Sequence, residues 1–299
     1  HACGHDGHMA MLLGVAKALT NKNNKYQGTV RLIFQPAEEG LGGARYMIED
    51  GCLDGLEQIY GIHLWNYQAL GEIGVKEGPV MASADMFDIT INGIGGHGAA
   101  PQGTVDTIVI SSHLIQALQT IVSRNTNPLE STVVSIGKIN GGNNFNIIAD
   151  EVHLSGTTRA YTEKNRSLIK LRMEEIILGI AKTYNADITL NYKDGYPPTI
   201  NHPGPSRLVL ESAREVVGEK AGPLYLSMGG EDFSYYLQKH NPTLDYKKTF
   251  LFLSFDISQL IALLYLTGGL FNPFIILIIA PIIISASYLP ALWTILLSL

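Results

Sequence analysis

The sequence predicts an α/β fold that is interrupted by a smaller α+β domain and followed by a hydrophobic helical tail. Helix and strand patterns alternate over residues 1–84, the order changes to β-α-β-β-α-β over residues 85–195, and residues 251–299 are almost free of charge. Strands that alternate with helices indicate a largely parallel sheet covered by helices. We therefore expect the first domain to continue over residues 196–245, after the inserted one.

Apolar residues predict each element of the first α/β segment. A first helix is indicated by helical spacing of Met9, Leu12, Leu13, Ala16 and Leu19. Residues 28–34 and 59–65 are apolar runs typical of buried strands, and Pro36 ends the first of them. Residues 44–48 indicate a short helix that Gly51 closes.

The inserted segment has the element order of a ferredoxin-like split unit. We expect strands at 86–92, 132–139, 151–158 and 187–192, with helices at 104–124 and 162–184. Pro197 and Pro198 end this unit, and a helical pattern over 206–219 returns the chain to the first domain. The sequence therefore predicts an α+β domain within an α/β domain.

Charge and cysteine content limit the partners of the chain. The net charge is −6, and Asp256 is the one charged residue within 251–299. This balance gives no basic surface for nucleic acid, so we expect no nucleic-acid partner. Two cysteines, Cys3 and Cys52, favour a reducing, cytoplasmic compartment or a metal role over a disulfide framework. Because the sequence opens at His1 within a motif, we expect a fragment of a longer chain.

The opening octet, HACGHDGH, is rich in metal ligands. Cys3, His5 and His8 fall within six positions, and Asp6 is placed to orient an imidazole. Taken alone, a cysteine and histidine at this spacing are more often structural than metal-binding. The residues at the ends of the two predicted strands strengthen the metal interpretation.

Carboxylates and a histidine stand at those two strand ends. Glu38 and Glu39 stand in QPAEEG just beyond the first strand, where α/β sheets bind their ligands. Adjacent carboxylates repel each other unless a cation lies between them. A solvated turn is the alternative. His63 stands in GIHLW at the end of the second strand, with a buried core histidine as its alternative. The mixed sulfur, nitrogen and oxygen set suits zinc, manganese, cobalt or nickel.

The order of the motifs resembles that of metallopeptidase family 20. HACGHDGH, FQPAEEG, GIHLW, GGHGAAP, NPLESTVVSIGKINGG, GTTR and MGGEDFSYYL succeed one another from His1 to about Leu237. The resemblance is to the branch of hippurate hydrolases, N-acyl-amino-acid amidohydrolases and auxin-conjugate hydrolases. It implies a zinc-peptidase-like catalytic domain with an inserted lid that also forms homodimers in relatives. It also implies hydrolysis of the amide bond in N-acyl amino acids or small peptide-like amides.

The resemblance also implies roles for individual residues. Two divalent metal ions would share Cys3, with His5 and His63 completing the first site and Glu39 holding the second metal. Glu38 would be the general base. The substrate-binding residues implied are His97, Asn146, Arg159 and Glu231. The alternative for His97 is a turn residue beside glycines. Without the resemblance, a surface ion pair is as good an interpretation of Arg159 as a clamp on the substrate carboxylate.

The sequence departs from the family at three points. The acidic N-terminal strand is missing, Gln102 and Ala149 replace a common histidine and proline, and no late histidine stands where it could complete the second metal site. His202 and His240 stand in the wrong settings for that ligand. We therefore expect an incomplete second metal site, and a non-catalytic remnant is the rival interpretation.

Residues 251–299 indicate a different origin. Two apolar runs, 257–270 and 274–289, approach the length of a bilayer span and resemble the transmembrane region of redox-responding sensor histidine kinases. We interpret this segment as foreign sequence joined to the enzyme, through which the chain would associate with a membrane. A native membrane anchor and a buried helix pair are the alternatives.

Overall fold

The computed structural model of the chain divides into two compact units. The part of the chain that it describes is residues 3–21, 27–222, 224–239 and 294–297. Unit 1 comprises His1–Val80, Ile200–Leu226 and Asp232–Leu299, and unit 2 comprises Met81–Thr199 and Ser227–Glu231.

The secondary structure alternates in unit 1 and is mixed in unit 2. The described α-helices are α1 (His5–Leu19), α2 (Glu38–Leu41), α3 (Gly43–Glu49), α4 (Thr107–Thr120), α5 (Glu163–Tyr184), α6 (Pro203–Val217) and α7 (Ser234–Lys239). The described strands are β1 (Thr29–Leu32), β2 (Gln58–Tyr60), β3 (Ile73–Gly74), β4 (Gly78–Met81), β5 (Ala84–Asn92), β6 (Gly96–His97), β7 (Thr132–Gly141), β8 (Ile147–Ile148), β9 (Glu151–Ala160), β10 (Asp187–Tyr196), β11 (Thr199–Asn201), β12 (Ala221–Gly222) and β13 (Thr294–Leu297). Single turns of other helix types occur at Pro101–Gly103, Ile121–Asn125 and Gly218–Lys220.

Unit 1 contains a parallel sheet in the order β1-β13-β2. Thr29 pairs with Thr294 on one side of β13, and Ile59 pairs with Leu296 on the other. The sequence predicted helical tail throughout 251–299, and for Thr294–Leu297 that prediction is wrong. The facing edges of β1 and β2 both require hydrogen-bond partners, and β13 supplies them.

Helix α1 buries a different face from the predicted one. Leu12 and Leu19 are buried as expected, whereas Met9 and Leu13 are 46% and 59% exposed. The buried stripe instead consists of Gly7, His8, Met11, Leu12, Val15 and Leu19. Because the stripe includes His8, the helix is rotated so that polar residues of the opening octet face the interior of unit 1.

A second apolar cluster lies beneath β1, α3 and α7. Its buried members are Ile33, Ala44, Leu53, Leu56, Ile59, Phe233, Tyr236 and Leu237. The cluster joins the residues just after β1 to the segment that precedes α7. This packing joins Ile33 and Ala44, on either side of FQPAEEG, to residues 233–237 in one core.

The four-stranded sheet of unit 2 and its two α-helices follow the predicted β-α-β-β-α-β order, and the short strands β6 and β8 are additional. Its antiparallel sheet runs β10-β5-β9-β7, and α4 and α5 contribute to one buried apolar core with it. Helix α4 begins later than the predicted residue 104, because the Asp106 side chain caps it by accepting hydrogen bonds from Ile108 N and Val109 N. The role of unit 2 as a lid or dimerisation domain stays a prediction.

One segment belongs to a different unit from the one that the sequence predicted. We expected Glu231 in the catalytic domain, but Ser227–Glu231 clusters with unit 2. Ser227 forms a parallel bridge with Met81, and Ala82 N donates to Gly229 O at 2.9 Å. These backbone contacts fix the segment beside the chain that leads into β5.

The predicted membrane tail lies mostly outside the described residues. The runs 257–270 and 274–289, their resemblance to sensor kinases and the predicted junction all fall there. Among the helices that the structure describes, none combines the length and apolar character needed to cross a bilayer.

Candidate metal centre

Cys3 and His5 are positioned by the turn that opens α1. Gly4 has φ +81°, in the left-handed region that glycine adopts without a steric penalty, and α1 begins at the next residue. The turn places the Cys3 thiol before the helix and the His5 imidazole in its first turn. His5 is half-buried and Cys3 is exposed.

The two glutamates lie on a tight loop after β1, which we call the carboxylate loop (residues 35–44). Ala37 has φ +58°, a left-handed conformation that is unusual for alanine, and Glu39 has the non-helical ψ of +97°. These turns separate the two adjacent carboxylates. The Glu38 side chain is 16% exposed, whereas that of Glu39 is 70% exposed.

Three of the four predicted metal ligands converge on one point. A donor atom from each of Cys3, His5 and Glu39 lies within 4.8 Å of the others. His5 Nε2 is 3.9 Å from Glu39 Oε1 and 3.6 Å from Glu38 Oε2. Within the residues described, this is the one group of three or more such side chains with metal-binding spacing.

The fourth predicted ligand, His63, faces the same point. Strand β2 ends at Tyr60, so His63 lies in the extended segment beyond it, and its Nε2 is 3.8 Å from Cys3 Sγ. Its Nδ1 lies 2.5 Å from the carbonyl oxygen of Leu64. A carbonyl accepts only from N–H, so the proton resides on Nδ1 and the Nε2 lone pair faces Cys3. This is the tautomer that a metal requires.

His8 lies behind these ligands and outside the converging group. Its ring is buried, stacks on His5 at 5.5 Å between centroids and meets the edge of His63 at 5.1 Å. Burial, followed by the nearby His63 and His5, lowers the pKa of His8 to about 2. The imidazole is therefore neutral and supports the His5 and His63 rings by packing.

An aromatic row that the sequence patterns did not reveal leads outward from His63. Trp65 meets the His63 ring at 5.1 Å and the Tyr67 ring at 5.9 Å, and Tyr67 stacks on Tyr225 at 5.2 Å with 18° between the planes. We call Trp65, Tyr67 and Tyr225 the aromatic row. The spacing of His63, Trp65 and Tyr67 could have predicted part of this row, because alternate residues of an extended chain share a face.

The donor set fits a divalent metal. Thiolate sulfur, imidazole nitrogen and carboxylate oxygen are ligands of zinc and other first-row transition metals. Cys3, His5 and Glu39 already lie within 4.8 Å of one another, and His63 lies 3.8 Å from Cys3. Within the part of the chain described here, no late histidine joins Cys3 and Glu39 to complete a second site.

His97 and Asn146 are brought together in unit 2. Strands β6 and β8 pair antiparallel, and Gly98 N donates to Asn146 O at 2.8 Å. A Cβ on Gly98 would lie 3.0 Å from Asn146 O, so the close approach favours glycine. Ala99 N donates to His97 Nδ1 at 3.1 Å, which directs the neutral ring's proton to Nε2.

Arg159 and Glu231 also lie in unit 2. Arg159 is half-buried near the end of β9, and burial lowers the pKa of its guanidinium. A Cβ on Gly230 would lie 3.4 Å from Arg159 Nη1 and 2.5 Å from Ala84 Cβ, so the guanidinium lies beside a position that has no room for a side chain. Glu231 is 8% exposed.

Comparison with known proteins identifies a family model and several curated relatives that match the chain. The family model described as peptidase family M20/M25/M40 matches residues 1–253. The chain is 42% identical over 243 residues to the IAA-amino acid hydrolase ILR1-like 4 of Arabidopsis thaliana, covering 80% of this chain and 55% of that protein. It is 42% identical over 238 residues to the N-acetyl-L-cysteine deacetylase of Bacillus subtilis, covering 80% and 57%.

A solved structure is also similar to this chain. The chain aligns with the YXEP protein of Bacillus subtilis, a dinuclear metal binding peptidase from the M20 family, with 34% identity, a TM-score of 0.66 and coverage of 84% of this chain and 62% of that one. The chain spans 55–63% of the length of the first curated relatives that it matches. No comparison supports the predicted resemblance of 251–299 to a sensor kinase. The matches to the family model and to the relatives show that the chain belongs to peptidase family M20/M25/M40.

Proposed function

We propose that the protein is a metal-dependent hydrolase of the amide bond in N-acyl amino acids or small peptide-like amides. The observation that carries this proposal is the convergence of Cys3, His5 and Glu39, with His63 facing the same point. Glu38 lies alongside, 3.6 Å from His5. Relatives named as an IAA-amino acid hydrolase and as an N-acetyl-L-cysteine deacetylase support the substrate class.

The chemistry divides between the metal and one carboxylate. Divalent cations bound by this donor set would polarise the amide carbonyl and lower the pKa of an attacking water. Glu38 takes the proton of that water as it attacks the amide carbon, and then delivers it to the departing amine. Its burial relative to Glu39 suits this role, because a base shielded from bulk water keeps the proton for the leaving group.

Two divalent metals are part of the proposal, with zinc, manganese, cobalt and nickel as candidates. Cys3 would be shared, His5 and His63 would complete the first site, and Glu39 would hold the second. The aromatic row would contact the acyl group, because its rings begin at the ligand His63 and extend towards solvent.

Substrate contacts from unit 2 rest on the family resemblance. Arg159 would bind the free carboxylate of the amino acid through its bidentate guanidinium. The Nε2 proton of His97 suits it to stabilise a developing oxyanion, and Asn146 is its neighbour. Glu231 is the remaining proposed substrate-binding residue. A homodimer through unit 2 is also part of the proposal.

The experiment is a hydrolysis assay on the full chain with a panel of N-acyl amino acids. The chain would be purified without metal and loaded separately with Zn²⁺, Mn²⁺, Co²⁺ or Ni²⁺, with bound metal quantified alongside. We expect metal-dependent release of free amino acid, and loss of turnover on removing the metal. Metal binding without hydrolysis of any panel member would favour the non-catalytic remnant and overturn the proposal.

A further inference from the structure

A buried carboxylate links the carboxylate loop to the MGGEDFSYYL motif. Asp232 is completely buried, with an exposed fraction of 0%. Gln35 Nε2 donates to both of its oxygens, at 2.8 and 2.9 Å, across 197 residues of sequence. Ala44 N donates to Asp232 Oδ2 at 3.0 Å.

These two donors stand at opposite ends of the carboxylate loop. Gln35 is its first residue and Ala44 its last, so a single side chain holds both ends. The loop is also closed on itself, since Gly43 N donates to Ala37 O at 3.2 Å. A Cβ on Gly43 would lie 1.8 Å from Pro36 O, so no larger residue fits there. Glu38 and Glu39 occupy the part of the chain between these fixed points.

We infer that Asp232 is a positioning residue that sets the placement of Glu38 and Glu39. Both glutamates lie in a strained segment, with left-handed φ at Ala37 and non-helical dihedrals at Glu39 and Gly40. Such a conformation persists only when its surroundings impose it. Asp232 imposes it through charge-assisted hydrogen bonds, which are about twice as strong as neutral ones. The inference rests on the proposed function for its catalytic consequence, but not for its effect on metal binding.

A positioning role for Asp232 and an ordinary role in core stability predict different effects on metal affinity. If Asp232 acts on the loop, its removal displaces Glu39 from Cys3 and His5, so metal affinity falls. Supporting partners of metal ligands typically contribute about 10–100-fold to affinity or activity. A purely structural residue would instead lower thermal stability and leave the affinity of the folded protein unchanged.

The experiment compares Asp232→Ala, Gln35→Ala and the double variant with the parent full chain. Zn²⁺ affinity is measured by competition with a chromophoric chelator, beside the melting temperature, kcat and KM. Leu53→Ala is the matched control, because Leu53 lies in the same apolar cluster and its hydrocarbon side chain cannot form hydrogen bonds to the carboxylate loop. Should Asp232→Ala fail to fold, Asp232→Asn keeps the shape and removes the charge.

We expect Asp232→Ala to weaken Zn²⁺ binding by about 10–100-fold and to lower kcat. Gln35→Ala should have a smaller effect in the same direction, and the double variant should be no weaker than Asp232→Ala, because both act through one contact. Unchanged affinity in Asp232→Ala, or equal weakening in Leu53→Ala, would overturn the inference. A rise in KM with unaltered metal affinity would indicate action through the adjacent Glu231 and would also contradict it. Because affinity is measured without substrate, a failure of the proposed function leaves this test intact.

Discussion

Cys3 Sγ lies 3.8 Å from His63 Nε2, although 60 residues separate the two along the sequence. The contact joins the turn before α1 to the segment after β2. The carbonyl of Leu64 fixes the imidazole so that its lone pair faces the thiol. A metal ion bound between them, as proposed above, would use both the thiol and this lone pair.

Replacing the Cys3 thiol should remove metal from the protein. Cys3→Ser exchanges a soft thiolate for a poorly coordinating hydroxyl, and we expect at least about a 10-fold loss of zinc affinity, measured by chelator competition. Cys52→Ser is the matched control, since these are the two cysteines of the chain. Burial raises the pKa of the Cys52 thiol to about 11, so it remains protonated and is a poor ligand. Equal metal loss in both variants would contradict the assignment.

Substitutions of the adjacent Glu38 and Glu39 should have different effects on metal content and turnover. Glu38→Gln removes the proposed base, so kcat for an N-acyl amino acid should fall by about 10²–10⁴-fold while bound metal is unchanged. Glu39→Gln removes a ligand, so bound metal should fall first and activity with it. Metal analysis and kinetics on the same samples distinguish the two. If Glu38→Gln loses metal and Glu39→Gln retains it, the roles are reversed.

Local sequence patterns predicted much of the fold. The six elements of unit 2 were found from apolar periodicity, because each strand and helix buries one face in a common core. The convergence of the predicted ligands Cys3, His5 and Glu39 was expected because strand ends in an α/β sheet lie at one edge. These are properties of short segments and their neighbours.

Local sequence patterns could not predict contacts between distant segments. The placement of β13 between β1 and β2 depends on pairing across most of the chain. The contact of Asp232 with Gln35 was missed because neither residue is unusual within its own motif. The buried face of α1 was predicted wrongly because a polar residue, His8, belongs to the buried stripe. Each is a tertiary effect that overrides local preference.

Unit 2 should depend on a buried ion pair. Asp85 is completely buried, and its carboxylate accepts from Arg166 Nη2 at 2.7 Å, Gly195 N at 2.8 Å and the Tyr192 hydroxyl at 3.2 Å. Arg166→Ala leaves that carboxylate without its cation, so we expect a loss of about 3–5 kcal/mol in the free energy of unfolding. Urea denaturation, with amide hydrogen exchange in β5 and β9 to localise the loss, measures it.

The control for this prediction is an exposed ion pair on the same sheet. Lys193 Nζ lies 3.4 Å from Asp88 Oδ2, and both side chains are about half exposed to solvent. Lys193→Ala should cost no more than about 1 kcal/mol, because solvent screens the pair. Similar losses for the two variants would show that burial does not determine the contribution of Arg166.

The aromatic row should determine which acyl groups bind well. Tyr67 and Tyr225 stack at 5.2 Å and are 64% and 53% exposed, so one face of the pair is available to a planar group. Tyr67→Ala or Tyr225→Ala should raise KM for an N-benzoyl amino acid by about 2–10-fold, since a lost aromatic contact is worth about 0.5–1.5 kcal/mol. KM for an N-acetyl amino acid should change less, and kcat should be retained, because such contacts bind substrate and transition state alike.

Tyr46→Ala, which removes an exposed tyrosine outside the row, is the control. The double variant should be less than additive, because each ring supports the other. An identical change in KM for benzoyl and acetyl substrates would exclude acyl recognition by the row and would leave its rings a packing role around His63.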